Sequence, residues 1–285
     1  MKRSTSLVCP ICSAKSLFST MNSASTQRGS YFVECPKCYH TWDTDRAPAA
    51  EYNENVKGAK ILELYHVARK RFKIDEDGNV TNLAEFGSIF GKRFGRFRDY
   101  LATAVNRQLH ALDVGFGSGG ALFFFNNLGY SVHGVDTNPT AVEFARESLP
   151  DAQIVQGEFD PAQISEKMDV ISCFHVLEHV PDVVGFLKEL RSTTSNGGIL
   201  ILEVPNLYND WCVKNDCRKW VMWNDNGMHL QHFSHDSVLL SLQKSGWSLM
   251  EFIGAGDSGR EAITLIAKNR VEAIDRAKMW AVTAT

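Results

Sequence analysis

No apolar run in this chain reaches membrane-spanning length, so no spanning helix is expected. The opening Met1-Lys2-Arg3 is not followed by an apolar core, so no secretory leader is expected either. Basic charge is not in excess: 30 Lys+Arg face 33 Asp+Glu, a net −3, and the broad footprint of a general nucleic-acid binder is missing. With no export signal, the seven cysteines are expected to be reduced or metal-bound in a cytoplasmic setting. What remains is an ordinary globular composition over 285 residues, enough for one large domain and a small module.

The chain is organised around Leu112-Asp113-Val114-Gly115-Phe116-Gly117-Ser118-Gly119-Gly120. A short apolar run from Leu109 enters it as a buried strand, and Ala121 to Leu128 leaves it as a helix. Glycines between them permit positive φ and let a ligand approach bare backbone. Such a strand, turn and helix start a nucleotide-type site in doubly wound folds. Gly115, Gly117 and Gly120 satisfy the dinucleotide pattern, but Asp113 would sit near a pyrophosphate and repel it. A ligand with a cationic end suits that carboxylate better.

The stretch resembles the first motif of class I S-adenosylmethionine (SAM)-dependent methyltransferases through Asp113, Gly115, Gly117 and Gly119. Ser131 to Asp136 reads as the second strand, with Asp136 able to take both ribose hydroxyls, matching the second motif, or to serve as a helix cap. Asn138-Pro139 opens the next helix. Ala152 to Val155 is a third strand, and the resemblance implies that Glu158 and Phe159 hold the adenine. Met168 to Val180, with its Leu-Glu-His, resembles the fourth motif of small-molecule methyltransferases, including those making ubiquinone and methylated sugars. It implies that Cys173, Phe174 and His175 flank the methionine portion, while Glu178 and His179 hold the loop. Asn196-Gly197-Gly198 reads as the stop of a helix, and Ile199 to Val204 as the fifth strand. A hairpin of Gly246 to Ile253 and Ala262 to Ala267 closes the sheet. The expected fold is α/β: a seven-stranded Rossmann-like methyltransferase sheet, mostly parallel with an antiparallel last strand, plus a small N-terminal zinc-ribbon module.

That module occupies residues 1–45. Cys9-Pro10-Ile11-Cys12 and Cys35-Pro36-Lys37-Cys38 are C-x-x-C pairs with 22 residues between them, and four thiolates so spaced favour structural zinc. The module has too few apolar residues to fold without metal. Residues 46–108 read as a helical lid region and 109–285 as the methyltransferase domain. Around Phe86 to Leu101 an amphipathic helix is expected, its Lys92, Arg93, Arg96 and Arg98 either solvated or facing an acidic acceptor such as a nucleotide-linked sugar. Tyr208, Trp211, Trp220, Met222 and Trp223 read as an acceptor cap. His-Phe-Ser at 232–234 resembles a sugar-methyltransferase segment; Ser234 reads as the N-cap of a helix over Val238 to Leu242. For transfer to a hydroxyl, His232 is the first candidate base, His229 the second and His175 the third.

The resemblance thus implies SAM as methyl donor, S-adenosylhomocysteine as product, structural zinc, and a small-molecule acceptor such as a sugar, glycan or secondary metabolite. Alternatives are an RNA or protein methyltransferase using the zinc module for recognition, or a non-catalytic SAM-binding scaffold. The acidic balance, and Cys173 and His175 where an Asn-Pro-Pro-Tyr type motif would lie, weigh against the first alternative. Intact Asp113 and Asp136 weigh against the second. Oligomeric state stays open.

Overall fold

The computed structural model describes residues 7–16, 19–21, 32–44, 97–101, 107–206, 208–209, 214, 229–252 and 262–270. The expected helix near Ile61, most of the one from Phe86, the tryptophans at 211, 220 and 223, and the tail after Arg270 lie outside them.

Five short strands come first: β1 (Leu7–Val8), β2 (Lys15–Ser16), β3 (Ser19–Met21), β4 (Phe32–Glu34) and β5 (Thr41–Asp43). The main sheet follows with β6 (His110–Val114), α1 (Gly120–Asn127), β7 (Ser131–Asp136), α2 (Pro139–Ser148), β8 (Gln153–Gln156), β9 (Met168–Phe174), α3 (Val183–Thr193) and β10 (Thr194–Pro205). After β11 (Gln231–His232) come α4 (His235–Lys244), β12 (Ser248–Phe252) and β13 (Ala262–Lys268). The seven-stranded order is β12-β13-β10-β9-β6-β7-β8, parallel except for β13, which is antiparallel to both neighbours. Strand order reverses between β6 and β9, and the crevice outside their carboxyl ends is where open α/β sheets bind ligands.

Apolar side chains cover both faces of the sheet, as buried parallel strands require. Ala111, Val132, Val170 and Ile201 pack with α1 and α2 on one face. Leu112, Val114, Ile171 and Leu202 pack on the other with α3, α4 and the N-terminal Cys9, Ile11, Val33 and Trp42. The cysteine-bearing strands therefore share a core with the large domain.

They share a sheet as well. β11 pairs antiparallel with β5 through Gln231↔Trp42 and His232↔Thr41, giving a four-stranded order β11-β5-β4-β3. His40 Nε2 lies 3.0 Å from Gln231 Oε1, and Ser234 Oγ donates to the Cys38 carbonyl over 2.7 Å. β3, β4 and β5 pair antiparallel in sequence order, and the sheet's further edge strand is supplied about 190 residues downstream, a separation that no local pattern reveals.

One boundary differs from the sequence reading. The helix before β10 ends at Thr193, not at Asn196, and the strand starts at once, with a bulge before Ile199. Asn269 Nδ2 donates to the Thr194 and Ser195 carbonyls, giving this stretch strand-side partners. Gly197 has φ +82 inside the bulge, where such a residue is useful.

Candidate active site

β6 brings Asp113 to the carboxyl edge, 2 % exposed, where its Oδ1 accepts the Ser172 hydroxyl over 2.7 Å. Gly115 follows at φ +66, and a Cβ there would clash with Val176 Cγ2. Gly119, at φ +79, is the N-cap of α1 and brings no side chain to the helix's first amides. Those amides and the positive end of the helix dipole suit a carboxylate. Gly117, at φ +51, has no atom of the described residues beyond its chain neighbours within 4 Å of where its Cβ would lie.

Asp136 ends β7 beside this turn. Its Oδ2 accepts from the Gly117 amide and its Oδ1 from the Asn138 amide, both over 2.8 Å. Burial pushes its pKa up and the two amides pull it back only in part. Each oxygen keeps a second lone pair, so binding ribose hydroxyls remains open to it. The helix cap that might have been its role belongs to Asn138, which accepts from Thr140 and Ala141. Glu158 is exposed beyond β8, and Phe159 rests edge-on against Phe186 at 5.8 Å.

The three residues at the end of β9 divide. Cys173 is fully buried among Leu112 and Val114, and burial pushes its thiol well up. Its side chain therefore leaves the sheet on the face opposite Asp113 and Ser172. Phe174 stacks on Phe97 at 6.1 Å, which brings the region before β6 against the carboxyl edge. His175 stands at φ +56, a left-handed conformation in which histidine is tolerated better than most residues. Its amide donates to the Glu203 carbonyl over 2.9 Å; Nε2 lies 2.9 Å from Glu203 Oε1 and Nδ1 3.4 Å from Glu178 Oε1. The ring is 46 % exposed while both carboxylates are buried. Thr264 donates to the second oxygen of Glu203 over 2.7 Å.

Of the other two candidate bases, His232 is buried and His229 half-buried. His232 is 1 % exposed in β11, against Phe32 at 5.3 Å and His229 at 5.5 Å, and burial pushes its pKa well down. His229, next to it, is lowered to about 4 by burial, only partly offset by Glu178. His175, Glu178, His179, His229 and His232 thus form one chain of neighbours, with only His175 classed as exposed among them. Glu203 was not foreseen. The signal was there, an acid inside the apolar run Ile199 to Val204, but its partner is 28 residues away.

The four cysteines converge at the other end of β5. Their sulfurs lie within 4.8 Å of one another, with Cys9–Cys38 at 3.6 Å and Cys12–Cys35 at 3.5 Å. A tetrahedral zinc with bonds near 2.3 Å sets sulfurs about 3.8 Å apart, so the cluster has the right size. The two loops share one backbone pattern. Cys9 N bonds Ala14 O and Ser13 N bonds Cys9 O; Cys35 N bonds His40 O and Tyr39 N bonds Cys35 O. Ser13 and Tyr39 both have positive φ, so the loops are twin knuckles facing one point.

Comparison with known proteins agrees with this geometry. Residues 88–251 match a family model described as a methyltransferase domain. The ubiquinone biosynthesis O-methyltransferase of Rhodopseudomonas palustris is 30 % identical over 110 residues, 36 % of this chain and 41 % of that protein. The trans-aconitate 2-methyltransferase of Rhizobium etli is 29 % identical over 126 residues, 43 % of this chain and 49 % of that protein. The chain thus spans less than half the length of either relative. Among solved structures, a SAM-dependent methyltransferase from Mesorhizobium loti aligns with TM-score 0.50 and 18 % identity, over 64 % of this chain and 98 % of that one. The cyclase SpnF aligns with TM-score 0.52 and 13 % identity, over 79 % and 98 %. At these identities the structures speak for the fold alone.

Proposed function

The chain belongs to the methyltransferase-domain family, and from that premise we propose that it moves the methyl group of SAM to a hydroxyl of a small-molecule acceptor such as a sugar, glycan or secondary metabolite. The observation that carries the reading is the space that the described residues leave open over Gly117, at the strand-order reversal, between Asp136 and the start of α1, which no side chain caps. The α1 amides receive the methionine carboxylate, Asp136 the ribose hydroxyls, and Glu158 with Phe159 the adenine end. Asp113 supplies negative charge near the cationic end, as a pyrophosphate-binding turn would not. Cys173 contributes backbone only, and Phe174 a wall.

In this reading the acceptor oxygen attacks the methyl carbon in line with the C–S bond, which breaks to leave neutral S-adenosylhomocysteine. The hydroxyl proton goes to His175, whose ring is anchored on Glu203; His229 and the buried His232 form the wall behind it. The protein's main contribution is positioning. The four cysteines hold structural zinc, which takes no part in the transfer, and a cytoplasmic setting keeps those thiols available.

Calorimetry with SAM and S-adenosylhomocysteine tests the donor; uptake of a nicotinamide nucleotide with neglect of both would overturn the reading. Labelled SAM is then offered with nuclease-treated extract and a panel of hydroxylated small molecules. Label in small molecules is expected, and label only in RNA or protein would overturn the acceptor class. His175→Gln is expected to bind SAM as wild type does while single-turnover transfer falls about a hundredfold.

A further inference from the structure

The turn Leu177–His179 and the residues leading into β11 meet behind His175. Leu230 donates its amide to the Glu178 carbonyl over 2.9 Å, and the Gln231 side chain donates to the Val180 carbonyl. This pairing brings together three groups that the fold itself does not require. The ligand-capable atoms of Glu178, His179 and His229 lie within 4.8 Å of one another. The two rings meet edge to face at 4.9 Å.

Glu178 is 1 % exposed. Its Oε1 faces His175, but among the described residues Oε2 has no hydrogen-bond partner, and neither has the buried Nδ1 of His229. A buried carboxylate oxygen without a partner is costly, on the order of 1–3 kcal/mol or more, and such groups call for an explanation such as an ion. Two imidazoles and a carboxylate whose ligand atoms lie within 4.8 Å of one another supply it.

We infer that Glu178, His179 and His229 bind one divalent transition-metal ion, separate from the four-cysteine site. The mixed nitrogen–oxygen set suits Zn²⁺, Mn²⁺ or Fe²⁺ better than Mg²⁺ or Ca²⁺, which take oxygen alone. Three protein ligands leave at least one position for water or for an oxygen of a second molecule, unlike the closed set of four thiolates. The inference does not depend on the methyl-transfer reading, because metal binding is measured without donor or acceptor.

The full-length protein, its four-thiolate site kept filled with one equivalent of Zn²⁺ under reducing conditions, is equilibrated with excess Mn²⁺, and its bound metals are counted by elemental analysis. The Mn²⁺ electron paramagnetic spectrum reports the nitrogen–oxygen site, since thiolates are poor manganese ligands. Wild type is expected to hold one equivalent more than either Glu178→Gln or His229→Ala, and the Mn²⁺ signal of the bound ion is expected to vanish in both. Glu178→Gln keeps the side chain's volume, and circular dichroism establishes that each variant is folded. Equal metal content in wild type and a folded Glu178→Gln variant, with no bound Mn²⁺ in either, would overturn the proposal and leave the cluster as packed side chains.

Discussion

At Gly115 two requirements fall on one atom. The backbone needs φ +66, and Val176 Cγ2 occupies the place a Cβ would take. Gly115→Ala is therefore expected to lose about 1–3 kcal/mol in urea denaturation from backbone strain alone, with a further loss from the clash. Adding Val176→Ala should restore only the steric part; full recovery would mean that the conformation is not strained. His133 gives a pH prediction. It is buried in β7 beside His110, with Nε2 3.4 Å from that ring's Nδ1, and burial holds its pKa below the ordinary 6.5. The unfolded chain protonates at about 6.5 while the folded chain resists, so stability is present above that pH and is lost as pH falls through it. Melting temperature against pH should fall more gently in His133→Gln than in wild type as pH drops below about 6.5; parallel curves would contradict this.

α4 shows how one residue joins two elements. Ser234 and Ser237 form a reciprocal capping box, and the same Ser234 hydroxyl donates to the Cys38 carbonyl. Ser234→Ala should destabilise the protein by about 1–2 kcal/mol from the cap, with Ser234→Thr recovering most of it in the same denaturation series. A loss below about 0.5 kcal/mol would mean that neither bond matters. The cap was legible because Ser234 and the helix it starts are neighbours in sequence. The bulge at the start of β10 was not, since the amide that satisfies it comes from Asn269.

On the scale of the molecule, the cysteine knuckles and the histidine cluster are ends of one small sheet. Losing metal from the four sulfurs should free β5, and β11 with it. In hydrogen exchange, Cys35→Ser with Cys38→Ser is expected to raise uptake across residues 229–234 while β7 and α2 stay protected. Unchanged protection at 229–234 would show that β11 holds without the knuckles. The two C-x-x-C pairs, the glycine turn, Asp113 and Asp136 could all be read directly, because their chemistry lies within a few residues. Period and length likewise announced the order of strands and helices.

What the sequence determined by itself was local: turns that need glycine, thiols spaced to grip an ion, and a run of strands and helices that closes into this sheet. Tertiary structure alone decided which of the three candidate bases is exposed, that His175 lies between Glu178 and Glu203, and that residues 231–232 complete a sheet begun near residue 19. The reason is physical. Burial and cross-strand pairing depend on which segments the collapsed chain brings side by side, and side chains 28 or 191 residues apart acquire a common environment only then.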